Sequence, residues 1–376
     1  MASVFVTLLA ILLLATWLEN VSFARPVSES VVKRATQCNG HEELCDRSYG
    51  NITFLGAHDS FASSRDPLAL ARDQEINIAA QLELGVRLLQ AQSHMKNGTL
   101  HFCHTSCTLF DGGTVLSYLQ TVKAFLDSHP NEVLTLLFTN PEGVSVAGAW
   151  KDVFDNAGLS QLIYTPRPAD VPLKRDDWPT LGSMIASGRR LVVFLDAGAD
   201  PTQVASILPE FAMIWETPFS VTDPAFPCSV NRIHGPLQVE DHMYLINHSL
   251  NVNIIPIGDG VIISDPFEAS TTNSVTSIRA NVDLCAPLAG DRAPNFILLD
   301  FVNRGEGLRA VDLLNGFDSM PPASNSTTPS EEGDPKPSSG SRHVAAYWLS
   351  VCVGRFLFVA PASLGVRNPA GMYILN

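Results

Sequence analysis

The chain predicts an α/β fold, an irregular (β/α)8 barrel of the TIM type. Three observations predict it. Short continuous apolar runs recur along the chain, each the length of a strand buried on both faces. Longer helix-compatible stretches separate them, and strands alternating with helices imply a parallel sheet. There are eight such runs, the number that closes a β/α barrel.

The runs are 52–56, 86–90, 100–102, 133–139, 191–195, 211–215, 243–246 and 296–301. Helices are expected at 116–127 and 146–155, and a long loop at 218–241. Barrel active sites lie at the C-terminal ends of the strands. A polar residue stands at most of those exits: His58 and Asp59 after the first run, His104 after the third, Asn140 after the fourth, Asp196 after the fifth, Glu216 after the sixth, Asn247 and His248 after the seventh. Asp300 closes the eighth. A polar pocket in the barrel mouth follows from that pattern.

The barrel is expected over residues 36–320, with other segments around it. Residues 1–24 read as a signal peptide: an apolar core at 4–17, then Ser22-Phe23-Ala24 with small residues where a signal peptidase reads. Residues 25–35 form a possible propeptide containing the dibasic pair Lys33-Arg34. Residues 321–342, rich in Pro, Ser, Gly and Thr, bury too little apolar surface to fold and read as a disordered linker. The apolar tail 343–376 fits a GPI-attachment signal, a membrane span or a free tail. Arg355 and the polar terminus set it apart from a standard GPI signal.

The 376 residues carry a formal net charge of −14 and no long basic run, which argues against a nucleic-acid partner and against simple electrostatic docking on anionic lipid. Secretion predicts disulfides. Of the seven cysteines, proximity favours Cys38–Cys45, Cys103–Cys107 and Cys228–Cys285, with Cys352 alone in the tail. A metal site on Cys103 and Cys107 with His101 or His104 is the rival reading. Asn51, Asn97, Asn247 and Asn325 begin glycosylation sequons. Asn51 and Asn247 abut predicted strands and are expected to be too buried for modification.

Two segments carry the chemistry: Phe54-Leu55-Gly56-Ala57-His58-Asp59-Ser60 and Leu100-His101-Phe102-Cys103-His104-Thr105. Two histidines on neighbouring strand ends can flank one bond, one as general base and one as general acid, because imidazole titrates near working pH. His101 faces away from His104, since side chains alternate along a strand. The order, G-x-H-D-S and then a second histidine, resembles the X domain of phosphatidylinositol-specific phospholipases C, most closely the secreted fungal PLC-like phosphodiesterases. The resemblance spans residues 36–314. It implies that His58 takes a proton from a neighbouring hydroxyl, which attacks phosphorus, and that His104 protonates the leaving oxygen. It also implies that Asp59 helps hold a histidine or the phosphate region. Asp300, an aspartate at a strand end, is the candidate orienter of the base. An Asp–Ser turn cap and a strand-end cap are the structural alternatives for these two.

The departure lies on the second strand. Bacterial members carry an acidic residue there and, two positions on, an arginine that neutralises the phosphorane. Animal members carry Glu-x-Asp, which binds calcium. This chain has Gln90 and Gln92. Glutamine donates hydrogen bonds but brings no charge, and calcium prefers carboxylates. No metal and no cofactor is therefore expected. Gln90, Gln92, Asn140 and Glu216 are the candidate substrate-binding residues, with Arg87 an outward or packing residue. The expected function is a secreted or surface-anchored, metal-independent phosphodiesterase. Its partner is a phosphodiester substrate such as a phospholipid or inositol phosphate headgroup, with the membrane as a possible surface. One alternative is an inactive barrel that binds a glycan or phosphorylated headgroup. Another is a metal-dependent glycerophosphodiesterase-like enzyme, which Gln90 and Gln92 count against.

Overall fold

The computed structural model describes residues 35–254 and 261–317. The predicted leader, linker, tail and the Asn325 sequon lie outside them. Twelve strands follow in chain order: β1 (Phe54–Ala57), β2 (Leu88–Lys96), β3 (Thr99–His104), β4 (Phe110–Thr114), β5 (Leu134–Thr139), β6 (Leu191–Leu195), β7 (Leu208–Pro209), β8 (Ile214–Glu216), β9 (Met243–Asn247), β10 (Asn251–Asn253), β11 (Ile262–Ser264) and β12 (Phe296–Leu299). Eight of them make one parallel path in the order β7-β6-β5-β2-β1-β12-β9-β8. Its two end strands share no ladder among the described residues, so the barrel is open between β7 and β8. No helix of the described residues is long and apolar enough to cross a membrane.

The alternation of side chains along each strand builds two cores. Phe54, Leu88, Leu137, Val192, Phe194, Ile214, Met243, Leu245, Phe296 and Leu298 fill the barrel. Their neighbours Leu55, Leu89, Leu136, Val193, Trp215, Ile246 and Ile297 pack outward under the helices. The helix Val115–Ser128 shows how the outer layer is made. Thr114 caps it by accepting the Ser117 N–H, and Val115, Tyr118, Leu119, Val122, Phe125 and Leu126 bury one face. That face meets Phe138, whose ring lies 4.8 Å from Phe102, 6.1 Å from Tyr118 and 5.7 Å from Trp150.

Three expectations change. The run at 100–102 is not a barrel strand: it lies in β3, which pairs antiparallel with the far half of β2 and with β4. The two-residue β7 completes the eight. Asn97 and Gly98, both at positive φ, turn β2 into β3. Asn-Gly between apolar segments is a strong sequence signal for such a hairpin. The expected helix at 146–155 begins as a π-helical turn, Val146–Trp150, before the α-helix Lys151–Asn156. Asn51 is exposed, because it closes a 3-10 turn before the first strand begins. Asn247 is 6% exposed, as its strand position implies. The loop at 218–241 holds only the short turn Val239–Asp241. The three disulfides are Cys38–Cys45, Cys103–Cys107 and Cys228–Cys285.

Phe138 is fully buried among four rings. Phe138→Ala is expected to lower the unfolding free energy by about 3–5 kcal/mol, measured by denaturant titration, and to leave the disulfides intact.

Candidate active site

The barrel interior is apolar at the bottom and polar at the C-terminal end. Along each strand the inward-facing series of apolar residues continues into His58, Gln90 and Gln92, Thr139, Asp196, Glu216 and Asn247, and these line one pocket of about 100 Å³. Glu210, Phe219 and Arg232 close its far side.

Strand register brings the first pair together. Ala57 lies opposite Leu299, and the His58 N–H continues the ladder to the Leu299 carbonyl at 3.0 Å. Asp300 therefore comes beside His58, with Nδ1 to Oδ1 at 2.8 Å. The Gln74 amide donates to the carbonyls of both His58 and Leu299, at 2.8 and 3.0 Å, and fixes the two strand ends. Burial pulls the His58 imidazole down. The charge and hydrogen bond of Asp300, with Asp59 and Asp73 behind them, outweigh it and lift the ring to about 10.

Asp59 turns away from the strand with φ at +34° and is completely buried. Its N–H donates to Gln90 Oε1 at 2.7 Å, and its Oδ1 accepts the Gln92 N–H at 3.1 Å. Its Oδ2 lies 4.0 Å from His58 Nε2 and 3.8 Å from His104 Nε2. Burial raises this carboxyl, and the two imidazoles oppose the rise. Ser60 is structural: its hydroxyl donates to the Gln90 carbonyl at 2.8 Å and meets Tyr118 Oη at 2.7 Å.

His104 reaches the site differently. It ends β3, which returns toward the mouth from the overhanging half of β2. It is 2% exposed and does not line the pocket surface. Its Nδ1 donates to the Ala71 carbonyl at 2.8 Å and lies 3.4 Å from Asp73 Oδ2. Nε2 has no hydrogen-bond partner among the described residues and faces Asp59. The Cys103–Cys107 bond brackets it. Thr105, at φ +58°, donates its N–H to Gln92 Oε1 at 3.1 Å. His101 turns the other way, onto Asp111 at 2.9 Å.

Gln90 and Gln92 each spend the carbonyl oxygen on a backbone N–H, which fixes the orientation of the amide. Their NH2 groups have no hydrogen-bond partner among the described residues, and both side chains line the pocket. Glu216 takes an ion pair from Arg232 and accepts Asn247 Nδ2 at 3.2 Å. The Arg232 guanidinium lies 4.6 Å from the Phe219 ring and 5.3 Å from that of Phe211. Burial, followed by the neighbouring Glu216 carboxylate, pushes Glu210 well above the usual carboxylate range.

Asn140 lies outside the pocket lining. It follows Thr139, so alternation turns it away from the interior. Its side chain donates to the Val144 and Ala197 carbonyls and accepts the Val144 N–H, and so shapes a loop. Thr139 takes the pocket position. His248 is likewise structural, bonded to Asn281 and to the Thr272 carbonyl. Arg87 pairs with Glu132 at 2.7 Å on the outside of the barrel. Asp73, Glu210 and Arg232 are site residues that the sequence reading passes over. Asp73 and Arg232 lie in loops with no periodic signal, and Glu210 opens the 3-10 turn Glu210–Ala212, one residue before an expected strand.

Two groups, His58 with Asp73 and Asp300, and Asp59 with Asp73 and His104, place donor atoms within 4.8 Å of one another. In both, an imidazole faces the carboxylates. A third, His101 with Cys103 and Asp111, has its sulfur in a disulfide.

A parallel β/α barrel with paired histidines and carboxylates at its mouth defines a PLC-like phosphodiesterase fold. The chain belongs to the PI-PLC X family, whose model matches residues 44–315. It is 44% identical over 287 residues to a PI-PLC X domain-containing protein 1 of Arthroderma benhamiae, covering 74% of this chain and 90% of the relative. A second protein of that organism, named an uncharacterized secreted protein, is 40% identical over 71% of this chain and 60% of its own length. Among solved structures, a phosphatidylinositol-specific phospholipase C from Staphylococcus aureus is similar at 15% identity and a TM-score of 0.49, covering 72% of this chain and 95% of that one.

The raised His58 has a consequence for stability. A folded-state value of about 10 against an ordinary imidazole near 6.5 means that its contribution is complete below pH 6.5 and is lost as pH rises toward 10. The difference in unfolding free energy between the wild type and His58→Gln is expected to shrink steadily over that interval in urea titrations. A difference that is flat with pH would refute the charge pairing.

Proposed function

We propose that the barrel is a secreted phosphoric diester hydrolase of the phospholipase C type, acting by acid–base chemistry without a metal. The observation that carries this reading is the approach of His58 and His104 to the same buried oxygen of Asp59, with His58 opening on the pocket. In this reading His58, oriented by Asp300, takes the proton of a hydroxyl next to the phosphodiester. That oxygen attacks phosphorus, and the bond to the leaving oxygen breaks as His104 delivers its proton there. The product is a cyclic phosphodiester and an alcohol. The free amide NH2 groups of Gln90 and Gln92 point to hydrogen bonding of the phosphate oxygens. Arg232 supplies a guanidinium from the opposite wall. The pocket of about 100 Å³ is smaller than the roughly 300–1,000 Å³ of most small-molecule sites. It therefore takes the reacting group while the rest of a lipid or inositol phosphate headgroup stays at the mouth. Three disulfides, the predicted leader and a relative named as secreted support an extracellular setting. Anchoring through the tail is part of the same proposal.

A second reading, a barrel that binds a phosphorylated headgroup or glycan without turnover, is favoured by one observation: His104 is 2% exposed and must be uncovered before it can donate.

Phosphorus NMR with inositol, glycerol and choline phosphodiesters separates the two. The hydrolase reading predicts a cyclic product signal that persists in a calcium chelator. His58→Ala and His104→Ala each reduce the rate by roughly 10²–10⁴-fold, the usual share of a general acid or base. Tight binding with no product from any diester would establish the second reading. Arg232→Gln is expected to raise KM several-fold with kcat little changed. An unchanged KM would remove Arg232 from the binding site.

A further inference from the structure

Asp73 lies between β1 and the helix Ile78–Leu84 and is completely buried. Its backbone is fixed on both sides: its N–H donates to the Ala62 carbonyl at 2.9 Å, and its carbonyl accepts the Phe301 N–H at 2.8 Å. Its Oδ1 takes the hydroxyl of Ser264. Its Oδ2 has no hydrogen-bond partner among the described residues and lies 3.4 Å from His104 Nδ1. Burial pushes this carboxyl up to about 7, and a positive charge facing it favours the ionised form. The groups that can carry such a charge beside it are His104 and His58.

We propose that Asp73 is the positioning residue of His104, holding its ring and keeping its proton, in a barrel whose second strand offers no carboxylate for the task. This rests on the reading of His104 as the general acid. Gln90 is neutral, and its carbonyl oxygen is already turned to the Asp59 N–H. The loop of Asp73 supplies both parts of the hold. The Ala71 carbonyl takes the Nδ1 proton, which leaves Nε2 as the nitrogen that gives up its proton, and Asp73 sets the charge beside that bond.

The groups facing His104 are Asp73, Asp59, His58 and the Ala71 carbonyl. Burial pulls the imidazole down, but Asp73 first and Asp59 second outweigh it. The reaction needs this balance. Asp300 holds the proton of the base, His58, into the alkaline range. An acid that lost its proton near neutrality would be spent before the base became competent. Asp73 moves the working range of the acid toward that of the base.

The test reads His104 directly and needs no turnover. Protein labelled with 15N-histidine is titrated by NMR, with His104 assigned by its absence in His104→Gln. Wild-type His104 is expected to titrate above the ordinary imidazole value with Nδ1 protonated throughout. Asp73→Asn should lower that midpoint by about one pH unit or more and move His58 less, whereas Asp73→Glu should preserve most of it. Should Asp73→Asn fail to fold, Asp73→Ser, which keeps a partner for Ser264, carries the same comparison. A His104 midpoint unchanged in the neutral variant, or a His58 shift as large as that of His104, overturns the proposal. Where a diester is turned over, the alkaline limb of kcat/KM should move down with the midpoint. A shifted midpoint in a protein that hydrolyses nothing would defeat the hydrolase reading and leave the pairing standing.

Discussion

A carboxylate with no access to water, held between two imidazoles, organises the mouth of this barrel. Asp59 is fully buried, and a buried carboxylate must be paired and hydrogen-bonded to be tolerated. One oxygen takes a backbone N–H of β2, and the other faces both ring nitrogens. Its own N–H is taken by Gln90. The glutamines of β2 thus tie together three separate pieces of chain: the exit of β1, β2 itself and the turn after β3. A guanidinium or a carboxylate in either position would bring charge, and an arginine would bring no acceptor for those N–H groups. Glutamine at both positions supplies the acceptors that hold the turns after the two histidines and brings no charge.

Each of the three polar residues at the centre is followed by a residue in the left-handed region: Asp59 after His58, Thr105 after His104 and Phe301 after Asp300. None is glycine, so each turn is locally unfavourable. Such conformations persist where the surroundings over-determine them. Here they do: Asp59 is fixed at three atoms, Thr105 by Gln92 and the adjacent disulfide, and Phe301 by the Asp73 carbonyl. Each turn takes the chain sharply away just after the functional side chain has been placed on the interior.

Much of this was legible in sequence because the signals were local. Six of the eight barrel strands lie on apolar runs long enough to recognise, β8 overlaps the end of another, and the disulfides join cysteines that proximity selects. The His58 and His104 motifs stand out for the same reason. What was not legible depends on register or on irregular chain. Asn140 and Thr139 differ by one residue, and a one-residue change moves a side chain to the other face of a sheet. The expected run ends correctly at Thr139, so alternation from Leu137 selects Thr139 and not the residue after it. The β2–β3 hairpin had an announcement in Asn97-Gly98, but the sequence reading takes the pair only as the start of a sequon and 100–102 as a barrel strand. Asp73 and Arg232 had no such announcement. They come from segments without periodicity, and only tertiary packing brings one behind His104 and the other over Glu216.

The four-residue span between Cys103 and Cys107 gives the site a history. His104 lies inside the shortest disulfide-closed loop of the described residues, and that loop exists only after two thiols have been oxidised. The strand ladders of the barrel are backbone hydrogen bonds, which need no thiol to be oxidised. The turn that carries this imidazole is different, since its last constraint is written by the environment. The finished constellation is thus a mark of where the chain has been, as well as of what its sequence encodes.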